Sequence, residues 1–275
     1  MRIFISPSEG FIGYINAIYK AVRYGLWRNI SDEIYYRYMY YYYKWNGDRE
    51  NATKIKMVYS IHDYSMVGRL GLLATHLLSN EVEKNRLDGC FVECGVARGG
   101  CSALMAMVSD YYNSGRKIWL FDSFEGLPEP RTEDKTNVNI HTDTNKSSAI
   151  LQKGFCLGTY EEVNKLLFCK LGLNSENIIM VKGWFQDTLP IYKDKIGKIS
   201  FLRLDGDWYE STKCCLNNLY DNVVGEGYIL IDDYHLPGCK QATNEFLQKR
   251  GLIADFTYDG RGGVYFKKPH LQDMS

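Results

Sequence analysis

The sequence predicts an α/β fold in which a mostly parallel sheet of seven strands is covered by helices. From Cys90 onward, short apolar runs alternate with stretches of helical length, which is typical of parallel strands joined by crossover helices. Two strand candidates near residue 260 are joined by the glycine-rich turn Asp259–Gly263, which favours a hairpin and an antiparallel edge. A chain of 275 residues can hold one such domain and some elaboration.

Seven apolar segments are the strand candidates. They are Cys90–Cys94, Lys117–Phe121, Ile178–Val181, Ile199–Leu204, Tyr228–Ile231, Asp255–Tyr258 and Gly263–Lys267. Between the second and third lies a long polar insertion, residues 129–153, whose length makes it a candidate lid over a site. Ahead of the first strand, apolar residues recur at three- and four-residue steps between Met66 and Leu77. We therefore expect helix across residues 57–88.

Residues 1–56 predict a helical, aromatic-rich extension in front of a main domain, residues 57–275. Seven tyrosines lie between Tyr35 and Trp45, and a loosely helical apolar pattern precedes them at residues 12–27. Three interpretations stay open for these aromatic residues: packing within the extension or across a homo-oligomer interface, contact with a ligand, or a helix lying on a membrane surface.

Charge and cysteine usage exclude several classes of protein. Lys+Arg and Asp+Glu each total 33, so no net charge attracts nucleic acid, and no nucleic-acid partner is expected. The eight cysteines are scattered and show no zinc-binding spacing, which is typical of reduced thiols in the cytoplasm. We find no signal-peptide pattern and no apolar run long enough to span a bilayer, so a cytoplasmic protein is expected.

The segment from Phe91 to Gly100 has the pattern of a strand, a glycine-rich turn and a helix start. Glycines let the backbone approach a ligand closely, and a helix N-terminus offers free N–H groups. The next strand leads into Asp122, at a sheet edge where a carboxylate can bind the two hydroxyls of a ribose. The dinucleotide fingerprint G-x-G-x-x-G is absent, and Glu93 would repel a pyrophosphate. A cationic methionine group would be attracted instead, which favours S-adenosylmethionine as ligand.

Three acids follow two neighbouring strands. Asp205 comes after the fourth strand candidate, and Asp232 and Asp233 come after the fifth. Parallel strands bring these ends to one edge of the sheet, where three carboxylates cannot all stay ionised without a compensating charge. Mg²⁺, which prefers oxygen ligands, would supply that charge. The sequence therefore predicts a metal site at this edge.

The acids also permit other interpretations. Asp205-Gly206-Asp207 fits the D-x-D metal motif of a glycosyltransferase, although that class leaves the glycine loop and the two later acids unexplained. Asp207 and Glu210 are interpreted as caps of a helix that starts near Ser211. A non-catalytic interaction protein on the same fold is a further alternative, since fold does not prove catalysis.

Five segments in order resemble the macrocin O-methyltransferase (TylF-like) family, which methylates sugar hydroxyls on macrolides and related natural products. They are Phe91–Gly100, Phe121–Pro128, Gly183–Pro190, Leu202–Thr212 and Ile231–Phe246. The resemblance implies a Rossmann-like class I methyltransferase fold and S-adenosylmethionine as the methyl donor. It also implies Mg²⁺ held by Asp205, Asp232 and Asp233.

The resemblance carries over to further residues of the site. The donor-site residues that it implies are Glu93, Gly95, Val96, Gly99, Asp122, Ser123 and Asp187. For the base that removes the acceptor proton, Asp205 is the first candidate and His235 the second. The acceptor is expected to be a small molecule, a sugar or a glycosylated metabolite.

Overall fold

The computed structural model describes residues 31–134 and 153–269. The chain divides into two compact units, residues 1–60 and 61–275, whereas the sequence places the boundary at residue 56. Most of the predicted lid, residues 135–152, lies outside the described residues, as does the apolar pattern at 12–27.

The described part of the first unit is helical, as predicted. Helix α1 covers residues 31–45, and α2 runs from Arg49 to Ile61. Glu33 accepts hydrogen bonds from Arg37 Nε and Tyr59 Oη, each at 2.6 Å, and so ties the two helices together. Several aromatic side chains of α1 are exposed instead. They are Tyr38, Tyr41, Tyr42 and Trp45.

The second unit begins with a correction to the predicted helix. The chain turns through a 3₁₀ segment, His62–Tyr64, and helix α3 spans only Gly68–Lys84. Ser65 is extended, and Gly68 has φ +65, a left-handed conformation that glycine adopts readily, so one continuous helix cannot form. Two of the apolar residues that suggested the helix, Leu70 and Leu77, are each 45% exposed. The core face consists of other residues, including Leu72, Leu78 and Val82.

A seven-stranded sheet forms the centre of this unit, with the order β3-β2-β1-β4-β5-β7-β6. The strands are β1 (Cys90–Cys94), β2 (Ile118–Asp122), β3 (Ile178–Lys182), β4 (Ile199–Leu204), β5 (Val223–Ile231), β6 (Thr257–Tyr258) and β7 (Val264–Lys267). Strands β1 to β5 pair in parallel, and β7 is antiparallel to both of its neighbours. The predicted sheet is confirmed, with its largest difference in β5, which starts at Val223 rather than Tyr228.

Helices cover both faces of this sheet, as expected of strands joined by crossovers. After α3 they are α4 (Gly100–Tyr112), α5 (Tyr160–Asn164, continued by a π-helical turn to Lys170), α6 (Phe185–Ile196), α7 (Tyr209–Leu219) and α8 (Pro237–Lys249). Strands β1 and β4 are buried along their whole length. The chain order reverses between these two strands, and in open α/β sheets that point at the carboxyl edge is where ligands bind.

The described residues include all eight cysteines. All eight cysteines are free thiols, and five of them are buried: Cys90, Cys94, Cys101, Cys215 and Cys239. No helix in residues 31–134 or 153–269 has the length and apolar character needed to cross a membrane.

Candidate active site

A cavity of about 660 Å³ opens at the carboxyl edge of the sheet. The loops after β1, β2, β4 and β5 form its walls, together with the start of α6 and the turn between β6 and β7. Of the residues predicted for the site, those lining the cavity are Gly95, Asp122, Ser123, Asp205, Asp233 and His235. The predicted residues that do not line it are Glu93, Val96, Gly99, Asp187 and Asp232.

Gly95 brings the glycine loop against the loop that carries the first acid. Its backbone has φ +94, and a Cβ at this position would overlap the backbone oxygen of Asp205. Asp205 N donates to the carbonyl of Cys94 at 2.8 Å, and Gly95 N donates to the carbonyl of Phe121 at 2.9 Å. Only glycine fits here, and its absent side chain lets the loops after β1, β2 and β4 meet at one place.

Asp122 shapes the glycine loop. Its Oδ2 accepts hydrogen bonds from the backbone N–H groups of Val96 at 2.7 Å and Ala97 at 3.0 Å, and its Oδ1 accepts from Phe124 N at 2.6 Å. Burial raises the pKa of Asp122, although these three N–H groups act in the opposite direction. The carboxyl group therefore fixes the loop and at the same time forms part of the cavity wall.

Glu93 lies behind that wall. It is buried, and its Oε1 accepts from Arg203 Nη1 at 2.9 Å, while its Oε2 accepts from the hydroxyl of Ser102 in α4. Burial raises the pKa of Glu93 to about 7. Its contacts connect α4 to β4, and its side chain does not line the cavity.

Four aspartates follow β4 and β5, and three of them, Asp205, Asp207 and Asp233, line the cavity. Carboxylate oxygens of Asp205, Asp207 and Asp233 lie within 4.8 Å of one another. This group shares Asp205 and Asp233 with the predicted metal ligands and has Asp207 in the place of Asp232. We call Asp205, Asp207, Asp232 and Asp233 the acid cluster.

The interpretation of Asp207 as a helix cap is wrong, whereas Glu210 does lie in the first turn of helix α7. Helix α7 begins at Tyr209, and its N-cap residue Trp208 makes no side-chain capping bond. The N–H of Tyr209 instead donates to Asp134 Oδ1 at 2.7 Å. Asp134 comes from a distant part of the chain, so no local pattern reveals it as the cap, and Asp207 is left to face the cavity.

Two arginines that sequence reasoning missed neutralise part of the acid cluster. Arg203 is fully buried in β4, and it donates to Asp205 Oδ2 and to Asp232 Oδ1, each at 2.7 Å. Arg261, in the turn between β6 and β7, donates to Asp232 Oδ2 and lies 3.9 Å from Asp233 Oδ1. Arg203 is the one charged residue of the strand Ile199–Leu204, and this pattern could have indicated a buried charge. No local pattern indicates that the turn carrying Arg261 folds over the acids.

On the cavity side of the cluster, crowding of carboxyl groups favours the protonated form of two of them. Burial and neighbouring carboxylates raise the pKa of Asp207 and Asp233 well above the ordinary value. Burial acts in the same direction on Asp205, but the charge of Arg203 brings the pKa of Asp205 below the ordinary value. Asp233 Oδ2 is buried and has no hydrogen-bond partner among the described residues. An orphaned oxygen beside two further carboxylates is a donor set that fits a divalent cation.

His235 lines the cavity beside this cluster. Its backbone N–H donates to the carbonyl of Gly262 at 2.9 Å, and a Cβ on Gly262 would lie only 2.7 Å from His235 Nδ1. Burial and the nearby charge of Arg261 lower the pKa of His235, so its imidazole is neutral at neutral pH and able to accept a proton.

Aromatic side chains form another wall. Trp184 and Phe185, at the start of α6, line the cavity with Gln186, whereas the predicted contact Asp187 is exposed. Trp208 lines it from the start of α7, and its Nε1 donates to the carbonyl of Pro128 at 3.1 Å. The pair Trp184-Phe185 at a helix start was visible in the sequence, and aromatic rings there suit a flat ligand.

The strand order with an antiparallel β7, the glycine loop after β1 and the acid at the end of β2 define a class I methyltransferase. The chain belongs to the macrocin O-methyltransferase family. The sequence model of that family, described as Macrocin-O-methyltransferase (TylF), matches residues 45–268. The protein is thus an S-adenosylmethionine-dependent O-methyltransferase, which decides against the glycosyltransferase alternative.

Two curated relatives illustrate the family. The demethyldecarbamoylnovobiocin O-methyltransferase of Streptomyces niveus is 32% identical over 207 residues, covering 74% of this chain and 76% of its own. The 8-demethyl-8-(2,3-dimethoxy-alpha-L-rhamnosyl)-tetracenomycin-C 4'-O-methyltransferase of Streptomyces olivaceus is 30% identical and covers 74% and 75%.

Solved structures agree on the fold. The O-methyltransferase NovP superposes with a TM-score of 0.63 at 32% identity, over 75% of this chain and 83% of that chain. The calicheamicin methyltransferase CalS11 superposes with a TM-score of 0.57 at 21% identity, over 72% and 78%, a likeness of fold alone.

Proposed function

We propose that the protein transfers the methyl group of S-adenosylmethionine to a hydroxyl of a sugar or a glycosylated small molecule, with the help of Mg²⁺. The strongest support is the backbone contact between Gly95 and Asp205, because it brings the glycine loop and the acid cluster together at one cavity. A donor bound at the loop and an acceptor bound at the acids would then meet at short range, and such positioning accounts for a large part of enzymatic rate enhancement.

The donor would lie along the glycine loop. Asp122 and Ser123, at the end of β2, would bind the ribose hydroxyls, and Gly95 would lie beside the methionine part. The rings of Trp184 and Phe185 offer an apolar surface for the adenine. Glu93 would support the donor site indirectly, because it accepts hydrogen bonds from Arg203 and Ser102 behind the cavity wall.

The metal would be held by Asp205, Asp207 and Asp233, whose oxygens are already gathered. Asp232 would stand behind them, because Arg203 and Arg261 occupy both of its oxygens. When bound, Mg²⁺ would act as a Lewis acid that lowers the pKa of the acceptor hydroxyl.

His235 is the better of the two predicted bases. It lines the cavity with no ion pair among the described residues, whereas Asp205 already accepts a hydrogen bond from Arg203. The imidazole would take the proton of the acceptor hydroxyl. The oxygen then attacks the sulfonium methyl carbon, so that the C–O bond forms as the S–C bond breaks. The products are the methyl ether, S-adenosylhomocysteine and the proton held on His235.

Relatives and the cavity wall support the proposed acceptor class. The Streptomyces olivaceus relative is named for methylation of a rhamnosyl tetracenomycin. Trp208 lines the cavity at the start of α7, and an indole ring stacks on the apolar face of a sugar. A small-molecule acceptor in the cytoplasm also agrees with the balanced charge of the chain.

The test is calorimetric titration of the purified protein with S-adenosylhomocysteine, alongside the variant Asp122→Ala. We expect micromolar binding by the native protein and loss of binding by the variant, with circular dichroism showing that the variant is folded. Absence of binding by a folded native protein would overturn the assignment of the donor site. Once binding is established, glycosylated acceptors are screened with and without Mg²⁺ for methyl transfer.

A further inference from the structure

Asp232 lies between two arginines that bind one carboxylate oxygen each. Arg203 donates to Oδ1 and Arg261 donates to Oδ2. The side chain of Arg203 has no exposed surface, while that of Arg261 is 30% exposed and lines the cavity. Arg203 is therefore a fixed counter-charge within the sheet, whereas Arg261 can move away from the acids toward solvent.

The turn that carries Arg261 is built to present this side chain. Asp259 Oδ1 accepts hydrogen bonds from three successive backbone N–H groups, those of Arg261 at 2.7 Å and of Gly262 and Gly263 at 2.9 Å each. At its base, the carbonyl of Gly262 accepts the N–H of His235. The backbone of the turn is thus held in place, and movement of Arg261 needs rotation of its side chain only.

The position of Arg261 matters for any cation at the acid cluster. Its Nη1 lies 3.9 Å from Asp233 Oδ1, and Asp233 supplies the orphaned oxygen of the proposed metal site. A divalent ion held by Asp205, Asp207 and Asp233 would share Asp233 with this guanidinium. Two like charges that share one carboxylate repel each other, and the repulsion is stronger where solvent is partly excluded.

We propose that Arg261 is a displaceable counter-ion that competes with the divalent metal for the acid cluster. In the metal-free protein the guanidinium neutralises Asp232 and lies against Asp233, and metal binding moves it toward the cavity. Arg261 is therefore a positioning residue that weakens metal binding, and it acts through Asp232 and Asp233. This inference rests on the metal site of the proposed function.

The test measures metal binding directly, without turnover. Mn²⁺ is titrated into the full-length protein, and the free ion is followed by electron paramagnetic resonance for the native protein and three variants. Arg261→Gln removes the charge, Arg261→Lys keeps it, and Arg250→Gln removes an equal charge at the distant pair with Asp221. We expect Arg261→Gln to bind Mn²⁺ about tenfold tighter or more, with Arg261→Lys and Arg250→Gln close to the native protein.

The direction of the change separates competition from a structural role. If Arg261 only supported the turn, its loss would leave Mn²⁺ affinity unchanged or reduce it, and either result overturns the inference while the metal site stands. If neither the native protein nor Arg261→Gln binds Mn²⁺, although both bind S-adenosylhomocysteine, the metal site fails and the inference fails with it. The donor site is unaffected by that outcome.

Discussion

Arg116 and Glu83 form a buried, bidentate ion pair that joins the segment before β2 to the end of α3. Arg116 Nε donates to Glu83 Oε1 at 2.8 Å, and Arg116 Nη2 donates to Oε2 at 3.0 Å. The guanidinium also donates to Ser200 Oγ at 3.0 Å and lies 4.9 Å from the ring centre of Phe91. This network fastens α3 and three strands at the sheet edge opposite the cavity.

Breaking this pair should destabilise the protein. We expect Glu83→Ala to lower the free energy of unfolding by about 3–5 kcal/mol, because it leaves the charge of Arg116 buried without its partner. Urea denaturation followed by circular dichroism measures the change. Glu226→Ala, which removes an exposed partner of Lys267, is the matched control and should cost about 1 kcal/mol or less. Equal losses for the two variants would contradict this account of Arg116.

Gly95→Ala should abolish donor binding. A methyl group there would overlap the backbone of Asp205 and would force the glycine loop away from the cavity. Calorimetric titration with S-adenosylhomocysteine is the measurement. Gly115→Ala serves as control, since Gly115 also has positive φ (+63) but no atom within 4 Å of an added Cβ. It should cost about 1 kcal/mol of stability and keep the affinity. Native affinity in Gly95→Ala would refute the close approach of the two loops.

Asp233→Asn should remove metal binding and turnover while leaving donor binding intact. Its Oδ2 is the orphaned oxygen of the proposed site, and the hydrogen bonds of Asp122 go to Val96, Ala97 and Phe124 rather than to Asp233. Mn²⁺ titration, S-adenosylhomocysteine calorimetry and methyl-transfer assays with a screened acceptor measure the three properties. A variant with native turnover would eliminate Asp233 as a metal ligand.

A comparison of Asp207→Asn with Asp232→Asn tests which of these two aspartates is the third metal ligand. The observed geometry gathers Asp207 with Asp205 and Asp233, so Asp207→Asn should weaken Mn²⁺ binding more than Asp232→Asn does. Asp232→Asn should still abolish turnover, because it frees Arg203 and Arg261 to pair with other acids. The opposite order of Mn²⁺ affinities would restore the ligand set that the sequence predicted.

Thiol labelling should identify one fast cysteine. Burial raises the pKa of Cys156 to about 12 and that of Cys214 to about 11, so both are almost wholly protonated at pH 8 and react slowly. Cys169 is exposed and should react with iodoacetamide within minutes. Mass spectrometry after timed quenching gives the sites, and denaturant should make all eight accessible. Rapid labelling of Cys156 or Cys214 in the native protein would contradict the burial of the cavity wall.

Local patterns predicted the sheet well. The alternation of apolar runs and helical stretches identified all seven strands, since period and turn residues are properties of neighbouring residues. Local patterns also predicted that Gly95, Asp122 and Asp205 lie at one sheet edge, because each is at the end of a strand or directly after it and parallel strands share one edge.

Contacts between residues that are far apart in the chain could not be predicted from local sequence patterns. Asp134 caps α7 from 75 positions away in the chain, and Arg261 crosses 29 positions to reach Asp232. Both contacts depend on how loops fold over the sheet edge. The break before α3 was missed for a different reason: apolar spacing across residues 57–88 is compatible with two helices as well as with one, and only Ser65 and Gly68 decide between them.

The position of β7 constrains how the chain reaches its native state. Although β7 is the last strand in sequence, it lies between β5 and β6 and pairs with residues 228–231 of β5. During synthesis, the backbone groups along this edge of β5 therefore stay unpaired until residue 267 has left the ribosome. That edge belongs to an apolar strand and is open to pairing with other chains. Nascent or truncated chains that lack residues 264–267 should consequently aggregate or engage chaperones, even though every strand of the parallel sheet is already present.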